Sequence, residues 1–137
     1  MFKILIVEDN RFYRDALRES VKARFPEVTV DEAVNGKEAM EKVNSLCPDL
    51  IFMDLRLPDD SGLELTKKIR AAFANTSIIV LTSYDLPEYK EAATRSGANC
   101  FCAKNSTTEE ELLTLVKSFL ACSNSGENSC KEAICAH

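Results

Sequence analysis

Apolar positions in this chain fall into two alternating kinds of segment. Short continuous runs at Lys3–Val7, Leu50–Met53, Ser77–Leu81 and Asn99–Ala103 read as buried strands. Between them the apolar residues spread to a helical period. Tyr13, Leu17, Val21 and Phe25 recur every four residues until Pro26, and Ala39, Met40, Val43 and Leu46 follow until Pro48. Leu65, Ile69 and Phe73 form a third helical stripe, and Tyr89, Ala92 and Ala93 a fourth that ends at Gly97. Leu112, Leu113, Val116, Phe119 and Leu120 make the fifth. The segment Val28–Val34 alternates, with Asp31 and Glu32 inside it, which suits a half-exposed edge strand. Cap signals precede four helices: Asn35 with Glu38, Ser61 with Glu64, Asp85 with Glu88 and Pro87 in the first turn, and Ser106 with Glu109.

Five strand–helix units in a row predict an α/β fold with right-handed crossovers and a parallel sheet covered on both faces. After Ala121 the periodicity fails and Ser123–Ser129 is polar and turn-rich. Residues 1–121 are therefore expected to form one domain and residues 122–137 a disordered tail. Seventeen Lys and Arg against 22 Asp and Glu leave a net charge of −5, which argues against a nucleic-acid-binding face. No apolar run reaches membrane-spanning length, and Met1–Ile4 leads into a strand without a signal sequence, so a cytoplasmic location is expected. Cys47, Cys100 and Cys102 are expected to be free, packed thiols. Cys122, Cys130, Cys135 and His137 match no standard zinc module.

The polar residues that carry chemistry stand at strand ends: Glu8 and Asp9, Asp54, Thr82, and Lys104. In an open parallel sheet the carboxyl ends of the strands form the ligand crevice. Three carboxylates converging there repel one another unless a cation is present, and Mg²⁺ suits such oxygen ligands. A carboxylate is also a nucleophile that forms an aspartyl-phosphate. Phosphoryl transfer then needs positioning and charge neutralisation, which Thr82, Lys104 and Mg²⁺ would provide.

In these residues the chain resembles the receiver domains of two-component response regulators, from about Lys3 to Leu120. The resemblance rests on the acidic pair after the first strand, Met53-Asp54 with Pro58 and Gly62, Leu81-Thr82-Ser83, and Phe101 three residues before Lys104. It implies a flavodoxin-like doubly wound sheet of five parallel strands in the order 2-1-3-4-5. It further implies that Asp54 accepts a phosphoryl group from a sensor histidine kinase or phosphotransfer protein. Asp9, Asp54 and the backbone carbonyl of Arg56 would hold Mg²⁺, with Glu8 orienting its waters. Lys104 and Thr82 would contact the phosphoryl group, and Phe101 would turn inward to remodel a surface for a downstream output protein or a homodimer. The only histidine, His137, lies in the tail, so the folded part receives a phosphoryl group and does not donate one.

Three positions depart from the family pattern. Asn105 replaces the usual proline after the lysine, putting the expected cis peptide bond in doubt. Glu8 replaces the first aspartate, and Phe101 lacks a tyrosine hydroxyl. Arg56 and Tyr84, two residues past Asp54 and Thr82, are either loop surface or bulky enough to crowd an attacking water. Asp59 and Asp60 read as solvated loop charges. A receiver of a helix-turn-helix transcription factor is the alternative, although the residues after Ala121 are too few for a DNA-binding module. A Mg²⁺-dependent phosphatase would want an acid where Arg56 stands. A flavin-binding protein would want a phosphate cradle where Glu8-Asp9-Asn10-Arg11 is acidic. The chain is thus expected to act by binding, not as a turnover enzyme.

Overall fold

The computed structural model describes residues 1–125, with side chains through Cys122. Five strands alternate with five helices: β1 (Lys3–Val7), α1 (Arg11–Arg24), β2 (Thr29–Ala33), α2 (Gly36–Leu46), β3 (Leu50–Met53), α3 (Gly62–Ala72), β4 (Ser77–Thr82), α4 (Pro87–Ser96), β5 (Cys100–Ala103) and α5 (Glu109–Ser125). All pairings are parallel and the sheet order is β2-β1-β3-β4-β5. This is the doubly wound flavodoxin-like architecture that the family resemblance implies; the alternation of elements predicts its covered parallel sheet, and β2 lies at an edge.

Successive residues of a strand point to opposite faces, so each central strand serves two cores. Ile4, Ile6, Leu50, Phe52, Ile79 and Leu81 face Leu17 and Val21 of α1 and Val116 and Phe119 of α5. Leu5, Val7, Ile51, Met53 and Ile78 face Val43 of α2 and Leu65 and Ile69 of α3. A smaller cluster of Leu55, Val80 and Ala93 is flanked by Tyr89 and Phe101 beneath α4. Phe52 and Phe119 are each 1% exposed, so truncating either to Ala would cost about 3–5 kcal/mol.

Local chemistry sets the helix ends. Asn10 and Asn35 cap α1 and α2 through side-chain oxygens that accept from the N–H of Tyr13 (3.1 Å) and Glu38 (2.8 Å). Ser61 caps α3 by accepting from Leu63 N–H at 3.2 Å. Two expected starts are corrected. The N-cap of α4 is Leu86, with no side-chain cap bond; Asp85 lies one residue too early because Pro87 fixes the first turn. Helix α5 starts after Thr108, not Ser106. Ser106 and Thr107 both donate to the Ala103 carbonyl in a turn, and Thr108 and Glu111 then form a reciprocal capping box.

At its far end α5 continues to Ser125, past the point where the apolar period fades, and Cys122 is buried. The rest of the expected tail, with Cys130, Cys135 and His137, lies outside the described residues. Cys102 is a free, buried thiol as expected; Cys47 is free but exposed instead of packed, because it lies past the end of α2, and Cys100 is disulfide-bonded, as is Cys122. Burial among apolar neighbours suits a disulfide as well as a thiol, so apolar surroundings alone did not distinguish the two. No cis peptide bond occurs among the described residues, consistent with Asn105 in place of proline.

Candidate functional site

The parallel register gathers the chemical residues at one edge of the sheet. The chain leaves β1, β3 and β5 through one further backbone hydrogen bond each. Glu8 N–H donates to Ala33 O (3.0 Å), Asp54 N–H to Val7 O (3.1 Å) and Lys104 N–H to Thr82 O (2.8 Å). These bonds pin the first residue past each strand while freeing its side chain for the crevice.

Carboxylate oxygens of Glu8, Asp9 and Asp54 all lie within 4.8 Å of one another. Glu8 is 3% and Asp54 7% exposed, so two of the three are nearly without water. Burial, more than any neighbour, pushes the Glu8 carboxyl up to about 7, against a hydrogen bond from Lys104 and one from Asn10 N–H at 3.0 Å. Burial likewise raises Asp54. The Lys104 ammonium, a hydrogen bond shared with Glu8 and the Arg56 N–H oppose that rise, and Asp9 adds to it. Such a set is short of positive charge. A hard divalent cation with oxygen ligands supplies it, so these residues fit Mg²⁺.

Lys104 provides one positive charge from the protein itself. Its ammonium donates to Glu8 Oε1, stands 3.8 Å from Asp54 Oδ2 and lies 4.4 Å from the centre of the Tyr13 ring. Thr82 is fully buried at the end of β4, and its hydroxyl accepts from Tyr84 N–H at 3.2 Å. Phe101 is half-buried beside Leu55 and Val80. Arg56 stacks on Tyr84 with its guanidinium 4.5 Å from the ring centre, and Tyr84 meets Tyr89 edge to face at 6.1 Å. The three line a groove of about 360 Å³ with Leu55, Leu57 and Ser61. Arg56 and Tyr84 thus join the loops that follow β3 and β4.

The loop after Asp54 is held by residues of two kinds. Gly62 donates to Leu55 O at 2.8 Å, and a Cβ on it would drive into the Asp54 carbonyl and lie 2.8 Å from Leu55 Cα. Only glycine permits that approach. Asp59 is exposed, as its reading as a solvated loop charge expects, and it is also tied down: its carboxylate accepts from Gly36 N–H (2.7 Å) and Lys37 N–H (3.1 Å) at the start of α2. Those bonds hold its carboxyl below the usual range. Neither this contact nor that of Tyr13 with Lys104 left a signal in sequence spacing, because the partners are remote along the chain.

Residues 4–117 match the response regulator receiver domain family. The chain belongs to that family and is a receiver domain of the two-component response regulators. It is 36% identical to the chemotaxis protein CheY of Halobacterium salinarum over 102 residues, covering 74% of this chain and 83% of that protein. It is also 36% identical to the oxygen regulatory protein NreC of Staphylococcus carnosus over 116 residues, 84% of this chain but 53% of that one. A two-component response regulator from Clostridium difficile superposes with a TM-score of 0.83 at 29% identity, covering 90% of this chain and 99% of that structure. The chain spans about half the length of the transcriptional and oxygen-regulatory relatives it matches.

Proposed function

We propose that Asp54 is the phosphoacceptor of this receiver and that its phosphorylation switches a partner-binding surface. The observation that carries this reading is the convergence of a buried Asp54 with Glu8, Asp9 and Lys104 at the carboxyl edge of the sheet. In the transfer, an Asp54 oxygen forms the new P–O bond as the P–N bond to the donor's phosphohistidine breaks. The donor is a sensor histidine kinase or a phosphotransfer protein. Asp9, Asp54 and the Arg56 carbonyl would hold Mg²⁺, with Glu8 beside it. When bound, the ion neutralises phosphoryl oxygens. Lys104 exchanges contact with Glu8 for a phosphoryl oxygen, and the Thr82 hydroxyl leaves Tyr84 N–H to do the same. Phe101 then closes into the space that Thr82 vacates. The surface of α4, β5 and α5 is thereby remodelled for an output protein or a second copy of the chain, a population shift driven by differential contacts.

Intact-mass spectrometry with Mg²⁺ and acetyl phosphate tests the assignment. One phosphoryl adduct is expected on the wild type and none on Asp54→Ala; steady release of phosphate with no adduct would move the reading to a hydrolase. Arg56 offers no acid for that chemistry, which supports a switch that is not a turnover enzyme. No helix among the described residues is long and apolar enough to cross a membrane, and we place the receiver in the cytoplasm beside its kinase.

Arg56 and Tyr84 set the lifetime of the phosphorylated state in this reading, because their stack crowds the approach of water. Arg56→Ala and Tyr84→Ala are each expected to hasten loss of the adduct on the order of tenfold, about 1.4 kcal/mol of barrier. Fast loss in the wild type that neither change alters would end the idea.

The half-length match to transcriptional relatives favours a second reading, in which this receiver controls a DNA-binding module. The net charge of −5 assigns no DNA contact to the chain itself. Unaltered mobility of duplex DNA with the phosphorylated chain is the expected result.

A further inference from the structure

We propose that Tyr13 is a positioning residue for phosphoryl transfer, its ring face holding the Lys104 ammonium between Glu8 and Asp54. The inference rests on the reading of Lys104 as the phosphoryl-binding cation. An ammonium has three donors and no acceptor. Here one donor is used by Glu8, and Asp54 attracts the group from 3.8 Å. The remaining side faces Tyr13, whose ring centre is 4.4 Å from Nζ. The Lys104 side chain is 13% exposed, so water is largely excluded and the ring substitutes for it as the third partner.

Tyr13 is well fixed for this task. Its backbone N–H is tied to the Asn10 cap at 3.1 Å, and its ring packs on the core between α1 and α5. Burial first, and then the charge of Glu8, push its hydroxyl up to about 12, so the ring stays neutral in the working range. A cation–π contact is attractive over the whole ring face and has none of the angular demand of a hydrogen bond. Lys104 can therefore swing from Glu8 toward an oxygen on Asp54 while keeping the ring beneath it. A directional acceptor in the same place would bind one of the two positions and oppose the exchange.

The test compares wild type with Tyr13→Phe, which keeps the ring, and Tyr13→Leu and Tyr13→Met, which remove it. Two quantities are read: the NMR shift of the Lys104 ε-methylene protons, and the phosphorylation rate with acetyl phosphate at saturating Mg²⁺. Wild type and Tyr13→Phe should both show ring-shifted ε protons and rates within about twofold of each other. Tyr13→Leu or Tyr13→Met, whichever folds with native circular dichroism, should lose the shift and slow phosphorylation on the order of tenfold. Wild-type rates in the ring-less variants, or equal slowing in Tyr13→Phe, would overturn the proposal. Failure of the receiver reading looks different, because the wild type would then take no adduct or Asp54→Ala would take one as well. The ring shift of Lys104 is read independently of either.

Discussion

Glu8 shows how a single buried carboxyl can govern the resting site. It is pushed from its ordinary 4.5 to about 7, chiefly by burial. Between those values the native state keeps a proton that the unfolded chain has released. This group's contribution to stability is therefore full below about pH 4.5 and is lost as pH rises through about 7. In urea titrations with EDTA, the wild type should lose stability relative to Glu8→Gln across that window, by at most about 1.4 kcal/mol per pH unit. Parallel pH curves for the two proteins would contradict the assignment. Added Mg²⁺ should oppose the loss, since a cation stabilises the ionised pair that the proton otherwise relieves. The position of these acids was legible in the sequence because each immediately follows an apolar run. Their mutual distances were not, and neither was the partner of Lys104: Tyr13 served the helical period equally well as a core residue.

Helix boundaries show the same division between what is local and what is not. The stripe Tyr13-Leu17-Val21-Phe25 and the caps Asn35 and Ser61 depend on neighbours within four residues, and all three appear as read. Ser106 with Glu109 and Thr108 with Glu111 offer the same spacing two residues apart. Only the turn onto the Ala103 carbonyl selects the second pair. Cys47 is another feature that spacing alone did not expose. It closes α2 at φ 49°, a left-handed conformation that costs a non-glycine residue about 1–2 kcal/mol. Cys47 is exposed, so Cys47→Gly loses little packing and should gain about 0.5–1 kcal/mol once glycine's own chain entropy is subtracted. Thermal melts should show a rise of about 2–4 °C, and a fall would mean that the thiol has a partner in solution.

For the molecule as a whole, the sheet order was legible from the family pattern and the edge position of β2 from its alternation. Strands β1, β3 and β4 are paired on both sides and almost fully buried, whereas β2 has one neighbour and half-exposed residues. Hydrogen exchange should follow: amides of Leu5, Ile51 and Ile79 are expected to exchange only by global unfolding, and those of β2 earlier. Uniform protection across the sheet would refute this gradient. The contact of Asp59 with the start of α2 has a mechanical meaning at this scale. It moors the loop after Asp54 on the β1 side of the sheet, while on the β4 side α4 begins at Leu86 without a side-chain cap. Under the proposed phosphorylation, a push delivered at Asp54 would be resisted by these bonds on the α2 side and would meet no such cap at the start of α4. In the proposed reading, this asymmetry would make the acceptor site a one-way lever, directing displacement toward α4 and β5 and away from α2.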